Sequence, residues 1–506
     1  MPSCRLALAV LLAAPLAAAD DFCIGGTVVN AATGEPINRA AVTTPVSAGM
    51  TDASGAYRFC GLPAGSYHAH AEKPGFNPAD VRITVGPSRD NLVLRLQPLS
   101  VIKGKVTLES NGDPLPNALI QLLSMTMENG HRKAKLENSV ATDDRGEYRL
   151  PGLATGRYLV RAAGWQGDPS GKAAESSQTF APVYYGGGAN LTEAAPITVD
   201  PGGEMTADFS VTLEPSHRIY GRVAGFSAHM PVRIDLLGAD GDVRASPATF
   251  QASTGTFRVD NVPPGSYTLR ATQGEGDQRV RAEQAMNVGA ADVHDVLLTL
   301  SGGTTVKGVV RVATTTGGSA IAPACTIELS PAGAWSTGEQ PIVFSTGEQG
   351  EFEVSDVMPG SYLVRMDCAA GYVSAAHAGQ TDVLGPGDLV VPQGPVVNLE
   401  AVVSTEGGTV DVSRDDDDAA ETTWLALVPD SGSEMHLRFA ILKGKLSLNN
   451  VAPGDYHAYS WTGSPFLLEY ANPAARQAWA GSAARVHVGE HDRQSVTVTV
   501  FHGDSQ

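Results

Sequence analysis

The chain has 506 residues, with 54 Asp and Glu against 35 Lys and Arg and a formal net charge of −19. A surface of that sign repels nucleic acid and anionic membranes and favours solubility. The 56 Gly and 32 Pro leave little room for long helices, while Val- and Thr-rich stretches of alternating polarity favour strands, so an all-β protein is expected.

Residues 1–19 carry one charge, Arg5, then an apolar run from Leu6 to Leu16 and the small-residue end Ala17-Ala-Ala19. This is the pattern of a secretory signal peptide, with cleavage before Asp20. No cysteine sits directly after that site, which argues against a lipid anchor. No later stretch reaches the roughly 18 uninterrupted apolar residues of a membrane-spanning helix. The expected location is outside the cytoplasm: secreted, periplasmic or on the cell surface.

Beyond the leader, one turn recurs five times: Leu62-Pro-Ala-Gly65-Ser-Tyr67, Leu153-Ala-Thr-Gly156-Arg-Tyr158, Val262-Pro-Pro-Gly265-Ser-Tyr267, Val357-Met-Pro-Gly360-Ser-Tyr362 and Val451-Ala-Pro-Gly454-Asp-Tyr456. Each copy follows a short strand with apolar residues at alternate positions, such as Tyr57 and Phe59 or Phe352 and Val354, and precedes another. The expected physics is a tight bend in which Gly takes a conformation that a side chain would hinder. By analogy with the tyrosine corner of immunoglobulin-like sandwiches, the ring should fill the core and the hydroxyl should bind a nearby backbone group. Upstream of each turn a strand carries Gly among apolar residues, at Gly26, Gly104, Gly221, Gly308 and, more loosely, Gly408. Their intervals match single sandwich domains of about 100 residues. The expected architecture is a tandem array of five small immunoglobulin-like or transthyretin-like β-sandwich domains: 20–97, 98–214, 215–300, 301–403 and 404–506.

Cysteine usage suits an oxidising compartment. Cys4 leaves with the leader, and the others pair within single domains as Cys23 with Cys60 and Cys325 with Cys368. None has the close spacing of a zinc site.

In the first domain, Gly26-Thr-Val-Val-Asn30-Ala-Ala-Thr-Gly34-Glu-Pro36-Ile precedes Thr51-Asp-Ala-Ser-Gly55-Ala-Tyr57-Arg-Phe59, Gly61-Leu-Pro-Ala-Gly65-Ser-Tyr67 and Lys73-Pro-Gly75-Phe76. This run resembles the carboxypeptidase regulatory-like domain. The second domain repeats it with Thr142-Asp-Asp-Arg-Gly146-Glu-Tyr148, whereas the last three keep only the turn and its flanks. The resemblance implies a transthyretin-like or Cna-B-like sandwich grouped with carbohydrate-binding-like folds. It also implies an accessory module without catalytic residues, found behind peptidases and ahead of outer-membrane transport barrels.

The second domain is lengthened by an insertion, 164–191, in which Trp165, Tyr184 and Tyr185 either form a stacking surface for a sugar or peptide or fold back as a plug over the sandwich edge. The third domain shows no concentration of ionisable residues. The fourth carries Trp335. The fifth opens with the acidic run Arg414-Asp-Asp-Asp-Asp418, which lacks the alternating ligands and internal Gly of a calcium loop and reads as solvated. Its later aromatics Trp461, Phe466, Tyr470 and Trp479 are core filling or, for Trp461 and Trp479, a second ligand face.

No catalytic constellation emerges, and no metal or cofactor is expected. His487-Val-Gly-Glu490 has the two-ligand spacing of zinc carboxypeptidases without room for a third ligand. His68 and His70 share one strand face. Gly167 to Ala173 falls short of a phosphate loop. The favoured function is a secreted, non-enzymatic structural or interaction protein, with a glycan, peptide or envelope protein as partner and nucleic acid excluded. The alternatives are a hydrolase, with its site in the insertion or between domains four and five near Asp367 and Glu469, and an accessory subunit of an outer-membrane uptake system.

Overall fold

The computed structural model describes residues 22–502 apart from 87–88, 166–177, 190, 239–240, 245, 247, 277–278, 314–323, 334–338, 386, 395, 416–421 and 464–467. The signal peptide, the Gly167–Ala173 stretch, Trp335, Phe466 and most of the acidic run therefore lie outside the described residues. Two compact units are formed: one reaches to Ile102 and takes in Pro151–Gly156 and Val199–Met205, and the other holds Lys103–Leu150, Arg157–Thr198 and everything from Thr206.

Five β-sandwiches follow one another, each on the same plan. The first strand of each (Phe22–Asn30, Ser100–Leu108, His217–Ala224, Thr304–Val312, Gly408–Arg414) is flanked by the strand that precedes the recurrent turn and by the last strand of the sandwich, or in the fifth by Arg493–Val498, which the short strand Val500–His502 follows. The pairing with that late strand is parallel in all five. The strand after the turn belongs to the other sheet. The six-residue motif is thus a corner that carries the chain across the sandwich, and not a hairpin.

The glycine of the first strand is explained by the parallel partner. A Cβ on Gly26 would lie 1.9 Å from the Leu92 carbonyl oxygen, on Gly104 2.0 Å from that of Ala207, on Gly221 2.3 Å from that of Val296 and on Gly308 1.7 Å from that of Leu399. No side chain fits there, because a real Cβ would have to displace backbone. The fifth sandwich departs from the expectation: Gly408 pairs with Val451, the place that Phe22, His217 and Thr304 hold in the first, third and fourth sandwiches, and Val412, opposite Leu446, stands where the others have the glycine.

The turn glycine takes a positive φ that side chains rarely adopt in the last three copies, Gly265 (159°), Gly360 (157°) and Gly454 (149°). In all five a second position is left-handed, the residue just before the apolar anchor: Gly61, Gly152, Asn261, Asp356 and Asn450, with φ between 55° and 81°. Glycine, Asn and Asp tolerate that region best. In four sandwiches this position coincides with a slip in the ladder to the first strand, as where Phe22 faces Leu62 but Ile24 faces Phe59. The invariant turn glycine also makes room for the tyrosine ring folded back over it. A Cβ on Gly265 would sit 3.0 Å from the Tyr267 Oη.

That fold-back lets the hydroxyl donate to the carbonyl four residues earlier: Tyr67 to Pro63 (2.8 Å), Tyr267 to Pro263 (2.9 Å), Tyr362 to Met358 (2.7 Å) and Tyr456 to Ala452 (2.8 Å). The last three rings are buried, while Tyr67 and Tyr158 are half-buried. Sandwiches one, three, four and five each have their own core, centred on Ile24 and Leu94, Ile219 and Leu269, Val306 and Ile327, and Val410 and Leu425. Disulfides join Cys23 to Cys60 and Cys325 to Cys368, the pairing expected.

Candidate functional site

Within the second unit the sandwiches are locked together by one long hairpin of the second sandwich, Ala118–Glu128 and His131–Ala141. Its turn is Asn129-Gly130, both left-handed (φ 50° and 81°), the pair that a two-residue type I′ connection requires. The tip meets the fourth and fifth sandwiches. Asn129 donates to Glu328 (2.8 Å) and Ser330 (3.1 Å) and accepts from Arg365 (3.1 Å). Gly130 is overlaid by the Tyr470 ring so closely that a Cβ would lie 2.3 Å from it, and its carbonyl accepts from Ala471 (3.1 Å).

The next three residues are basic, and each is used at a seam. His131 pairs with Glu434 at 2.9 Å, Arg132 with Glu469 at 3.4 Å, and Lys133 donates to the carbonyls of Pro331 (3.0 Å) and Gly333 (2.5 Å). Beside them opens a cleft of about 730 Å³, bounded also by Asp388 and Asn472. Burial pulls the Lys133 ammonium below its usual pKa, against the pull of Glu128 and Asp388. Burial likewise pushes the Asp388 carboxyl upward, opposed by His131 and Lys133. The cleft is a polar seam whose charges are largely paired internally. Glu469 is held by Arg132, while Asp367 is exposed on strand Gly360–Cys368.

Further seams tie the unit together, among them one between the third and fourth sandwiches, where Arg279 and Arg281 donate to Glu339. Arg161, 1% exposed, donates to Asp242 of the third sandwich at 2.5 Å and to the Val243 carbonyl at 3.0 Å, with Gln121 at 2.8 Å behind it. Met435 of the fifth sandwich packs into the core of the fourth, and His436 beside it bonds the Val373 carbonyl at 2.7 Å.

The aromatic residues read as ligand surfaces are placed differently. Tyr184 is 1% exposed and Trp461 0%, so neither ring offers a face to a ligand, and that expectation is corrected for both. Burying large rings against the sheet outweighs leaving them free for a partner. Trp165 is half-buried and donates to the Pro116 carbonyl at 2.8 Å. Tyr185 packs edge-on to Phe209, and Trp479 stacks on Phe501 at 4.5 Å. The described part of the insertion thus folds back as a plug, with Phe180 buried and Leu191 packed in one cluster with Tyr184. His70 bonds Asp80 (2.9 Å) and His487 bonds Asp455 (2.8 Å). Among the described residues no three His, Cys, Asp or Glu are grouped to hold a metal, and no helix is long and apolar enough to cross a membrane.

The hairpin was missed in the sequence although its signal was there, Asn129-Gly130 between two alternating runs. Its seam partners lie some 200 to 340 residues away in the chain, beyond the reach of any local pattern.

This architecture defines a class, a tandem β-sandwich protein with interlocked domains. Within it, residues 23–97 and 101–212 match the model of the carboxypeptidase regulatory-like domain, so the first two sandwiches are similar to that domain. No curated protein matches the chain. Among solved structures, the shaft pilin SpaA from Lactobacillus rhamnosus GG is similar over 39% of this chain and 97% of its own, at 11% identity and a TM-score of 0.21. GBS52, the minor pilin of Streptococcus agalactiae, matches over 38% and 97%, at 14% identity and 0.22. The Bacillus anthracis TIE protein matches over 85% and 71%, at 10% identity and 0.17.

Proposed function

We propose that the chain is an exported, non-enzymatic structural or interaction protein of the cell envelope, made of a leader (1–19) and domains at 20–97, 98–214, 215–300, 301–403 and 404–506. It presents its surfaces to a peptide, a glycan or an envelope protein. The observation that carries this reading is the Asn129-Gly130 hairpin, which ties the second sandwich to the fourth and fifth through charged and backbone contacts. Side chains spent on holding sandwiches at fixed positions suit a scaffold that must keep its surfaces in register. The two disulfides suit the oxidising compartment that a leader implies.

The test is to incubate the protein starting at Asp20 with envelope fractions and with glycan, peptidoglycan and peptide arrays. The expected result is saturable retention without turnover. Cleavage of a glycan or peptide that disappears in Glu469→Gln would replace this reading with a hydrolase.

A further inference from the structure

The seams of the second unit repeat one arrangement. The second strand of each sandwich is followed by a turn, and in three sandwiches that turn sits on the outer face of the corresponding sheet of another. Side chains alternate between faces, so the registers say which face is used. Asp242 and Val243, after Val232–Leu237, reach Arg161, which stands opposite Gln121 on the face that carries Leu123 and Leu159 with Tyr184. Glu339, after Cys325–Pro331, is held by Arg279 and by Arg281, which alternates with the core residue Ala282. Asn129, after Ala118–Glu128, bonds Glu328, Ser330 and Arg365, which alternate with Ile327, Leu329 and Val364 of the fourth core. The chemistry of turn and face agrees each time, carboxylate on guanidinium or amide on a polar row.

One turn and one face of the same kind stand exposed, and both are apolar. In the first sandwich the turn between Ala41–Thr44 and Ser47–Met50 is Pro45-Val46, closed by bonds of its own between Thr44 and Ser47 (3.0 and 3.2 Å). Val46 is 60% exposed, and Met50 on the same edge strand 70%. In the fifth sandwich Phe439 stands opposite Ala426 and Ile441 opposite Trp424, on the face turned away from Leu425, Leu427 and Leu442 of the core. Phe439 is 37% and Ile441 46% exposed. Their strand, Arg438–Leu442, is at the edge of its sheet, paired among the described residues with Thr423–Pro429 alone. The patch continues a seam already in use, because Phe439 stacks at 5.1 Å on Tyr470, the ring that covers Gly130 of the long hairpin. Apolar side chains grouped on a sheet edge beside an existing seam mark an interaction surface.

We propose that the Pro45-Val46 turn of one copy of this chain docks on the Phe439 and Ile441 face of a second copy. The contact repeats the turn-on-face arrangement of the internal seams, with apolar chemistry on both sides. It is heterologous, turn to face, so every contact leaves one turn and one face for further copies, which add head to tail. A small apolar area makes the association weak. Copies of formal charge −19 repel one another. Salt screens that repulsion and leaves apolar burial in place, so it strengthens the contact. The proposal rests on the reading of the chain as a structural or interaction protein and names one partner.

The test is sedimentation velocity of the full chain from Asp20 over a wide concentration range, at low and at high salt. A shift from monomer to dimers and longer species, larger at high salt, is expected. Val46→Ser and Ile441→Ser should each weaken association about tenfold. Val343→Ser, at an equally exposed valine of the fourth sandwich, should leave it unchanged. A mixture of Val46→Cys chains with Ile441→Cys chains should give a mixed disulfide dimer on oxidation, in higher yield than either variant alone. A chain that stays monomeric at the highest concentration, association indifferent to Val46→Ser and Ile441→Ser, or a disulfide that closes at high dilution within one chain carrying both cysteines would overturn the proposal. If the chain stays monomeric but is retained on envelope fractions, only this assignment falls. If retention is absent as well, the broader reading falls with it.

Discussion

Removing the hydroxyl of Tyr456 leaves the Ala452 carbonyl without its 2.8 Å donor inside the fifth sandwich. Tyr456→Phe should therefore cost about 1–2 kcal/mol in urea denaturation, the loss of one buried hydrogen bond with its acceptor unsatisfied. Gly308→Ala poses a different problem. Its Cβ would lie 1.7 Å from the Leu399 carbonyl oxygen, so the first strand and its parallel partner must part, and a loss of about 3 kcal/mol is expected by the same measurement. A destabilisation under about 0.5 kcal/mol, the range of neutral surface changes, would remove close approach as the reason for this glycine. Both residues were visible in the sequence because they recur at fixed offsets. The left-handed position before each anchor was not, because Gly61, Asn261 and Asp356 share a conformation and not an identity.

Strands and hairpins act by what they bring together. Asp242→Ala would leave the 1%-exposed Arg161 guanidinium short of its counter-charge, at a cost of about 3–5 kcal/mol, read as a lowered denaturant midpoint. Arg161→Met with Asp242→Leu should recover most of that loss. The seam between the fourth and fifth sandwiches should respond to pH through His436. Burial holds its imidazole below the ordinary 6.5, with Arg438 adding to the effect and the Val373 bond opposing it. A folded pKa below the unfolded one means that stability is complete above about pH 6.5 and declines as the pH falls from there towards the folded pKa. The decline should vanish in His436→Gln, and a wild-type midpoint that stays flat across this window would disprove the assignment. The strands themselves were legible from alternation. The long hairpin was legible only at its Asn129-Gly130 turn, since nothing local says that a loop tip will be covered by Tyr470.

For the molecule as a whole, the second unit should unfold in fewer calorimetric transitions than the four sandwiches that it contains wholly or in part, because buried seams couple them. Asp242→Ala should add a transition by releasing the seam between the second and third. One transition per sandwich in the parent chain would show that the seams do not couple. Replacing Cys325 and Cys368 by Ala should lower stability by about 2–4 kcal/mol, the contribution of closing a loop of 43 residues, and the loss should appear in the transition that contains the fourth core.

The sequence by itself determined the all-β class, the five repeated sandwiches, the two disulfides and the tyrosine corners. Each of these depends on interactions within one domain, where spacing in the chain is close to spacing in the fold. Tertiary structure alone decided that Tyr184 and Trp461 are buried and that the hairpin locks domains together. A side chain's exposure, and its neighbours across a seam, are set by surfaces folded from distant parts of the chain, and no local pattern carries that information.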